Sequence, residues 1–228
     1  MYQESTMLVL GLETSSYINS AAITQNEELQ GQVIFNQKKP QSNSLVKSIE
    51  FLLKSLNING EELDGIAVSI GPGSYTGLRV SLSVAKSLAF FWDKPLTAVN
   101  SLDALAQQGS HQDNMICSLI RFRRHEYHNA FFYWSDSTIH RRSDYLTSKI
   151  EDVVSDLTQP VLFIGLVTDE DKELFLTHGH KANCVIFSEK LPEARLIALL
   201  GERNLRKGIK ENINEISPFY MHEFPIKN

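Results

Sequence analysis

The chain has 228 residues, 42% of them hydrophobic, and a formal net charge of −5. That length supports a sizeable core, in one large domain or two small ones. The acidic balance argues against stand-alone nucleic-acid binding, which draws its affinity from Lys and Arg.

The two cysteines, Cys117 and Cys184, lie far apart in apolar runs and read as buried, reduced thiols of a cytoplasmic protein. No apolar stretch nears the length of a membrane span, and Met1 to Thr6 lacks the basic region of a signal peptide. Met7 to Glu13 reads as a buried strand ending in a carboxylate. Thr14 to Asn19 is a polar turn, Ser20–Thr24 a second strand and Leu29–Phe35 a third, together an antiparallel meander. Pro40 to Asn43 carries helix-start signals. Leu45, Ile49, Leu52, Leu53 and Leu56 then recur at helical spacing, predicting an amphipathic helix over Ser44–Leu56. Ile66–Ile70 is the fourth strand. A turn rich in Gly, Pro and Ser follows, then a helix from Leu78 to Trp92. Leu96–Val99 is a strand, and Ser101 caps a short helix through Gln107.

The order to that point is βββαβαβα, and after the linker Gly109–Asn114 it restarts. Met115–Ile120, Glu126–Trp134 and Ser137–Arg142 read as strands. Ser148–Leu157 reads as a helix capped by Ser148, Pro160–Ile164 as a strand, Asp169–Leu176 as a helix and Asn183–Phe187 as a strand. Pro192–Leu205 is a last helix and Ile216–Met221 a closing extended segment. The fold class is α/β with two tandem lobes, 1–108 and a reduced 109–228, and the helix at 192–205 is a candidate to pack back on the first.

Two stretches carry candidate chemistry. The turn Gly71, Gly73, Ser74, Thr76, Gly77, Arg79 joins a strand to a helix, the geometry that aims backbone N–H groups at an anion, and also that of any tight βα connection. It lacks the Lys-Ser/Thr pair of a phosphate-binding Walker loop, and Thr76 stands where a dinucleotide fingerprint needs glycine. Glu13, Thr14 and Ser15 place a carboxylate beside hydroxyls; they could orient a phosphate or simply close a turn. Helix 78–92 bears one stripe of Leu78, Leu82, Ala85 and Ala89 and a second of Val80, Val84 and Phe91; a partner subunit or helix 44–56 would cover the second. The seven histidines read as surface groups: His125 and His128 are one residue too close for a zincin pair, and no Cys/His quartet exists. No G-x-S-x-G elbow is present. Two basic runs, Arg121/Arg123/Arg124 and Arg203/Arg206/Lys207/Lys210, are solvated faces by default and RNA or acidic-partner contacts in the sharper alternative.

Leu10-Gly11-Leu12-Glu13-Thr14-Ser15 and Gly71-Pro72-Gly73-Ser74-Tyr75-Thr76-Gly77-Leu78-Arg79-Val80 together resemble the bacterial TsaB (YeaZ, glycoprotease-like) family. Asn100 to Ala106, Glu126-Tyr127 and Ser217 to Met221 extend the likeness. The resemblance implies an actin/Hsp70-like (ASKHA, ribonuclease H-like) fold and a non-catalytic subunit. Its expected partners are TsaD, which transfers a threonylcarbamoyl group to the N6 of adenosine in tRNA, and the ATPase TsaE. It implies a homodimer in isolation, indirect or minor tRNA contact and no membrane. It also implies no cofactor on this chain, ATP and a metal ion residing on partner subunits. The partner surface falls on the first-lobe helices, at Ser44, Lys47, Ser48, Val80, Val84, Ser87 and Phe91. TsaD carries an H-x-x-x-H metal pair at its first helix, where this chain has Gln41 to Val46 and no histidine. Two departures stand out: Asn43-Ser44 where the family has His-Ser, and Arg121 where it has Asp. A small ASKHA-type ATPase or kinase is the alternative that Glu13 and the glycine turn leave open.

Overall fold

The computed structural model describes residues 6–36, 42–110, 115–136, 138–179 and 185–221. Pro40 and Gln41, most of the linker with His111, Asn183, Cys184, and the histidines at 180 and 222 lie outside them. The chain divides into one unit of residues 1–104 and 192–219 and another of 105–191 and 220–228, where the sequence reading drew a single boundary after 108.

The first unit is built on strands β1 (Leu8–Glu13), β2 (Ile18–Gln25), β3 (Glu28–Asn36), β4 (Gly65–Gly71) and β5 (Leu96–Asn100), in the order β3-β2-β1-β4-β5. β1, β2 and β3 pair antiparallel, with Gly11 opposite Ala22; β4 and β5 run parallel to β1, with Leu10 opposite Ile66. Side chains alternate along each strand. Leu10, Leu12, Ile66 and Val68 enter a core shared with helices α1 (Ser42–Leu56) and α2 (Tyr75–Phe91). Val9, Ala67 and Val99 form the opposite core, with the Leu196–Ala198 stretch of the chain's last helix (Ala194–Arg206). That helix comes closest over Gly11, where the sheet has no side chain: a Cβ there would fall 2.4 Å from the Ala194 carbonyl oxygen. The predicted helix 192–205 thus belongs to the first unit's packing.

α2 begins three residues earlier than its periodicity predicts. Ser74 is its N-cap, its hydroxyl accepting from the Gly77 N–H at 3.2 Å, so Gly77 lies inside the first turn. A cap outranks a glycine in setting a helix start.

The second unit carries strands β6 (Ile116–Arg123), β7 (Glu126–Ser135), β8 (Thr138–Arg141), β9 (Leu146–Lys149), β10 (Val161–Gly165) and β11 (Val185–Ser188), with helices α4 (Ile150–Val154) and α5 (Asp169–His178); α3 (Ser101–Ala106) precedes them. The order is β11-β10-β6-β7-β8, and β9 also pairs with β7. β8 covers the last half of β7 and β9 the first, Tyr133 facing His140 and Tyr127 facing Ser148. The helix predicted over Ser148–Leu157 is therefore corrected: residues 146–149 extend along β7, Ser148 caps nothing, and the helix starts at Ile150. Pairing with an open sheet edge satisfies backbone groups that a short polar segment could not satisfy as a helix. The closing segment Ile216–Met221 is not a strand, although the Phe219 N–H donates to the Ile70 carbonyl at 2.8 Å. The last helix is called α6 below.

Candidate functional site

The two motifs that stand out in the sequence meet in the first unit. β1 ends at Glu13, and Thr14 and Ser15 pass directly under the glycine turn. The Thr14 hydroxyl donates to the Gly77 carbonyl at 2.6 Å, and the Ser74 N–H donates to the Ser15 carbonyl at 2.7 Å. Gly77 is glycine for space: a Cβ there would stand 1.9 Å from the Thr14 carbonyl oxygen. Gly71, with φ +108°, takes a backbone conformation that L side chains resist. Each motif therefore holds the other, and together they fix where α2 leaves the sheet.

Glu13 is fully buried. Its Oε1 accepts from the Ser15 N–H, and its Oε2 has no hydrogen-bond partner among the described residues. Burial pushes this carboxyl above its ordinary range, against the opposing pull of the Ser15 hydrogen bonds. A carboxyl sealed from solvent and bonded to the Ser15 N–H suits a structural plug under the turn better than a group that orients a phosphate. Two N–H groups of the turn, those of Ser74 and Gly77, already have protein acceptors. Thr76 and Arg79 face outward instead. With Ser42, Tyr75, Val80 and Ser83 they line a shallow cleft of about 430 Å³ beside the start of α1, and the Arg79 guanidinium lies 4.0 Å over the Tyr75 ring.

The outer faces of α1 and α2 distribute the predicted partner residues unevenly. Lys47 and Ser87 are exposed, and Ser44 and Ser48 are half-buried, joined by a 2.9 Å hydrogen bond. Phe91 is 79% exposed. Val84 is 6% exposed and lies in the core with α1's Leu45, Ile49, Leu52 and Leu53, and Val80 is half-buried against the same cluster. The second apolar stripe of α2 is thus split: its middle is covered by α1, and only its end reaches solvent. Val84 is withdrawn from the surface for that reason. The sequence reading missed Phe90, 82% exposed, and on α1 Phe51, 64% exposed, and Val46. Phe51 could have been found, since it lies off the Leu45–Ile49–Leu52–Leu53–Leu56 stripe on an otherwise polar face. Three large aromatic side chains thus stand in water on two neighbouring helices, as side chains that protein partners cover do.

A second polar cluster surrounds Asp171 in the second unit. Asp171 is buried; it accepts from the Tyr127 hydroxyl at 2.6 Å, meets His125 Nδ1 at 2.6 Å, and has Arg121 Nε at 3.8 Å. Burial works to raise its carboxyl, but hydrogen bonds from Tyr127, His125 and Thr168, with Arg121 nearby, outweigh it and hold Asp171 below the usual range. Burial and the same carboxylate push the Tyr127 phenol up. The Arg121 departure has a structural partner in this carboxylate. His125 and His128 are corrected as surface histidines: the first is half-buried on Asp171, and the second is buried, its Nδ1 2.8 Å from the Thr147 hydroxyl. Among the described residues no group of three or more His, Cys, Asp or Glu is placed to hold a metal ion. At the start of α1, where the resemblance puts a metal pair in TsaD, the donors are Ser42, Asn43 and Ser44; hydroxyls and an amide without imidazole do not fit that pair. No helix among the described residues is long and apolar enough to cross a membrane.

Comparison with known proteins places this arrangement. Residues 28–224 match the family model for TsaD, tRNA N6-adenosine threonylcarbamoyltransferase. The tRNA threonylcarbamoyladenosine biosynthesis protein TsaB of Bacillus subtilis is 28% identical over 171 residues, 74% of this chain and 75% of that protein. Threonylcarbamoyltransferases match over a shorter region, 31% of the length of the Thermomicrobium roseum protein. In structure, YeaZ from Pseudomonas aeruginosa superposes with a TM-score of 0.80 at 20% identity, over 94% of this chain and all of that one. A ROK hexokinase from Thermus thermophilus shares the fold more distantly, with a TM-score of 0.53 at 10% identity over 89% of this chain and all of that one. The fold is the actin/Hsp70-like one, and the chain belongs to the tRNA N6-adenosine threonylcarbamoyltransferase (TsaD) family, as one of its TsaB/YeaZ members.

Proposed function

We propose that this chain is a non-catalytic scaffold and dimerisation subunit for the synthesis of N6-threonylcarbamoyladenosine in tRNA. It binds a TsaD-type transferase through the outward face of α1 and α2, and the ATPase TsaE joins that pair in the cytoplasm. What carries the proposal is the exposure of Phe51, Phe90 and Phe91 on those helices. Such aromatic side chains are costly to leave in water and are of the type that anchors interfaces. The same face covers itself in a homodimer when the transferase is absent. ATP and the metal ion belong to the partner subunits, because the start of α1 offers no imidazole and Glu13 is sealed from solvent. The chain's share in catalysis is to hold its partner, with Thr14, Ser15 and the glycine turn setting the angle at which α2 presents its face.

The test is to mix the purified chain with its own TsaD and TsaE, with and without ATP, and to follow assembly by gel filtration with light scattering. A one-to-one complex with TsaD that displaces the homodimer is expected. Persistence of separate species at micromolar concentrations would refute the proposal.

A further inference from the structure

Charge in the second unit is segregated. Between Ile116 and Lys149 the sequence holds six Lys and Arg against three Asp and Glu, whereas from Ile150 to Gly179 it holds one Lys against seven Asp and Glu. The strands are basic and the helices α4 and α5 acidic, in a chain whose total is −5. The register separates them further. Tyr127 enters the core with Ile150, Val153 and Phe175 of α4 and α5. Its neighbours Glu126 and His128 therefore lie on the opposite sheet face. Arg123 and Lys149 pair with Glu126, Thr147 with His128 and Arg141 with Phe132, so Arg123, Lys149 and Arg141 share that face.

All three cations are exposed, and none has an ion pair among the described residues. Several other cations do have acidic partners. Arg121 and Arg124 turn to Asp171 and Glu170 on α5. In the second basic run, Arg203 pairs with Glu27 and Arg206 with Glu202 on α6. Two guanidiniums of the β-strands lie instead on aromatic rings, Arg123 at 4.6 Å over Phe122 and Arg141 at 4.0 Å over Tyr145, and Phe122 in turn packs on His128 at 4.8 Å.

We propose that the exposed ends of this face, where Arg123 closes β6, Arg141 closes β8 and Lys149 closes β9 on either side of the buried His128, Ala130 and Phe132 of β7, are a contact surface for RNA. Arg123, Arg141 and Lys149 meet phosphates, and the Arg123–Phe122 and Arg141–Tyr145 stacks offer planes for unpaired bases. Unpaired cations alone would serve an acidic protein equally well; planar guanidinium–aromatic pairs beside them are what a splayed nucleotide needs. Only the identity of the RNA as a tRNA rests on the function proposed above.

The experiment titrates a fluorescently labelled tRNA transcript with the chain in complex with its own TsaD, at two salt concentrations. It compares wild type with R123E/R141E/K149E, and complex formation is read by gel filtration in the same samples. The expected result is binding weakened at least tenfold, with a shallower salt dependence: the slope of log K against log salt shrinks by about 0.7–0.9 for each phosphate contact removed. The complex with TsaD stays intact. If the triple variant melts early, R123Q/R141Q/K149Q replaces it with the same expectation, in smaller measure. Unchanged affinity and slope would overturn the inference. So would displacement of the tRNA by poly-glutamate of equal charge as effective as displacement by unlabelled tRNA, because the surface would then suit an acidic protein. If no complex with TsaD forms, the scaffold proposal fails by itself, and the charge-reversal comparison on the chain alone still decides this one.

Discussion

Phe90 and Phe91 separate an interface from a core more cleanly than any other pair in the chain. They are 82% and 79% exposed, while Val84, about two turns earlier on the same helix, is 6% exposed. A Phe side chain has roughly 150–250 Å² to bury, and about 150 Å² of each is still in water here. At about 25 cal/mol per Å², covering one ring is worth nearly 4 kcal/mol before ordering and desolvation costs. Measured aromatic anchors lose about 2 kcal/mol or more on truncation, which is roughly 30-fold in Kd. Phe90→Ala and Phe91→Ala are therefore each expected to weaken TsaD binding by more than tenfold while leaving the urea midpoint of the free chain, measured where it is monomeric, nearly unchanged. Val84→Ala should do the reverse, losing about 2 kcal/mol of stability to the cavity it leaves, with unchanged Kd. The assay is isothermal titration of each variant into TsaD, paired with urea unfolding of the same samples. If the Phe90→Ala/Phe91→Ala double variant binds within twofold of wild type, the outward face of α2 is not the docking surface.

Other expectations concern the site that aims α2. Gly77→Ala gains about 1 kcal/mol of helix propensity but forces a Cβ to within 1.9 Å of the Thr14 carbonyl oxygen; a net loss of about 2–3 kcal/mol in urea unfolding is expected. Gly208→Ala serves as its control: with φ +76° and nothing within 4 Å, it should cost only about 1 kcal/mol of backbone strain. A smaller loss at Gly77 than at Gly208 would show that the contact between motifs is slack. Glu13 has a raised folded pKa, so the folded state holds its proton longer; stability is highest below the unfolded value near 4.3 and falls as pH rises through the folded one. Glu13→Gln keeps an oxygen acceptor for the Ser15 N–H and should flatten that decline, which melting curves from pH 4 to pH 8 would reveal or deny. Asp171 has the opposite sign. Its folded pKa is lowered, so its contribution is complete above the unfolded value near 3.9 and lost as pH falls through the folded one. Asp171→Asn should thus cost stability at neutral pH and lose part of the acid sensitivity below about pH 4; equal acid midpoints for the two proteins would count against it.

The residues that were legible in the sequence are those whose neighbours in space are also neighbours in sequence, or lie one regular period away. Near-continuous apolar runs gave β1 and β4 as buried strands. The Leu45–Leu56 period gave α1 and its buried face, and Gly71 and Gly73 marked a turn without stating what it turned against. What stayed hidden depended on pairing at long range. No local signal says that Gly77 lacks a side chain because of Thr14, 63 positions earlier, which donates back to it. Nothing around Ser148 says that an open edge of β7 will take it as a strand. Arg121 looked like a reversed charge until Asp171 stood beside it, buried with Tyr127 and His125. Val84 failed for a related reason: a helical wheel gives the direction of a stripe but not how far the neighbouring helix extends over it. Val84 packs in the core with α1 while Phe91 on the same stripe stands in water, so one apolar stripe is core at its middle and solvent-facing at its end. The same limit makes the surviving patch informative. Apolar side chains that intramolecular packing has every means to cover, and leaves in water, point to a surface that another protein completes.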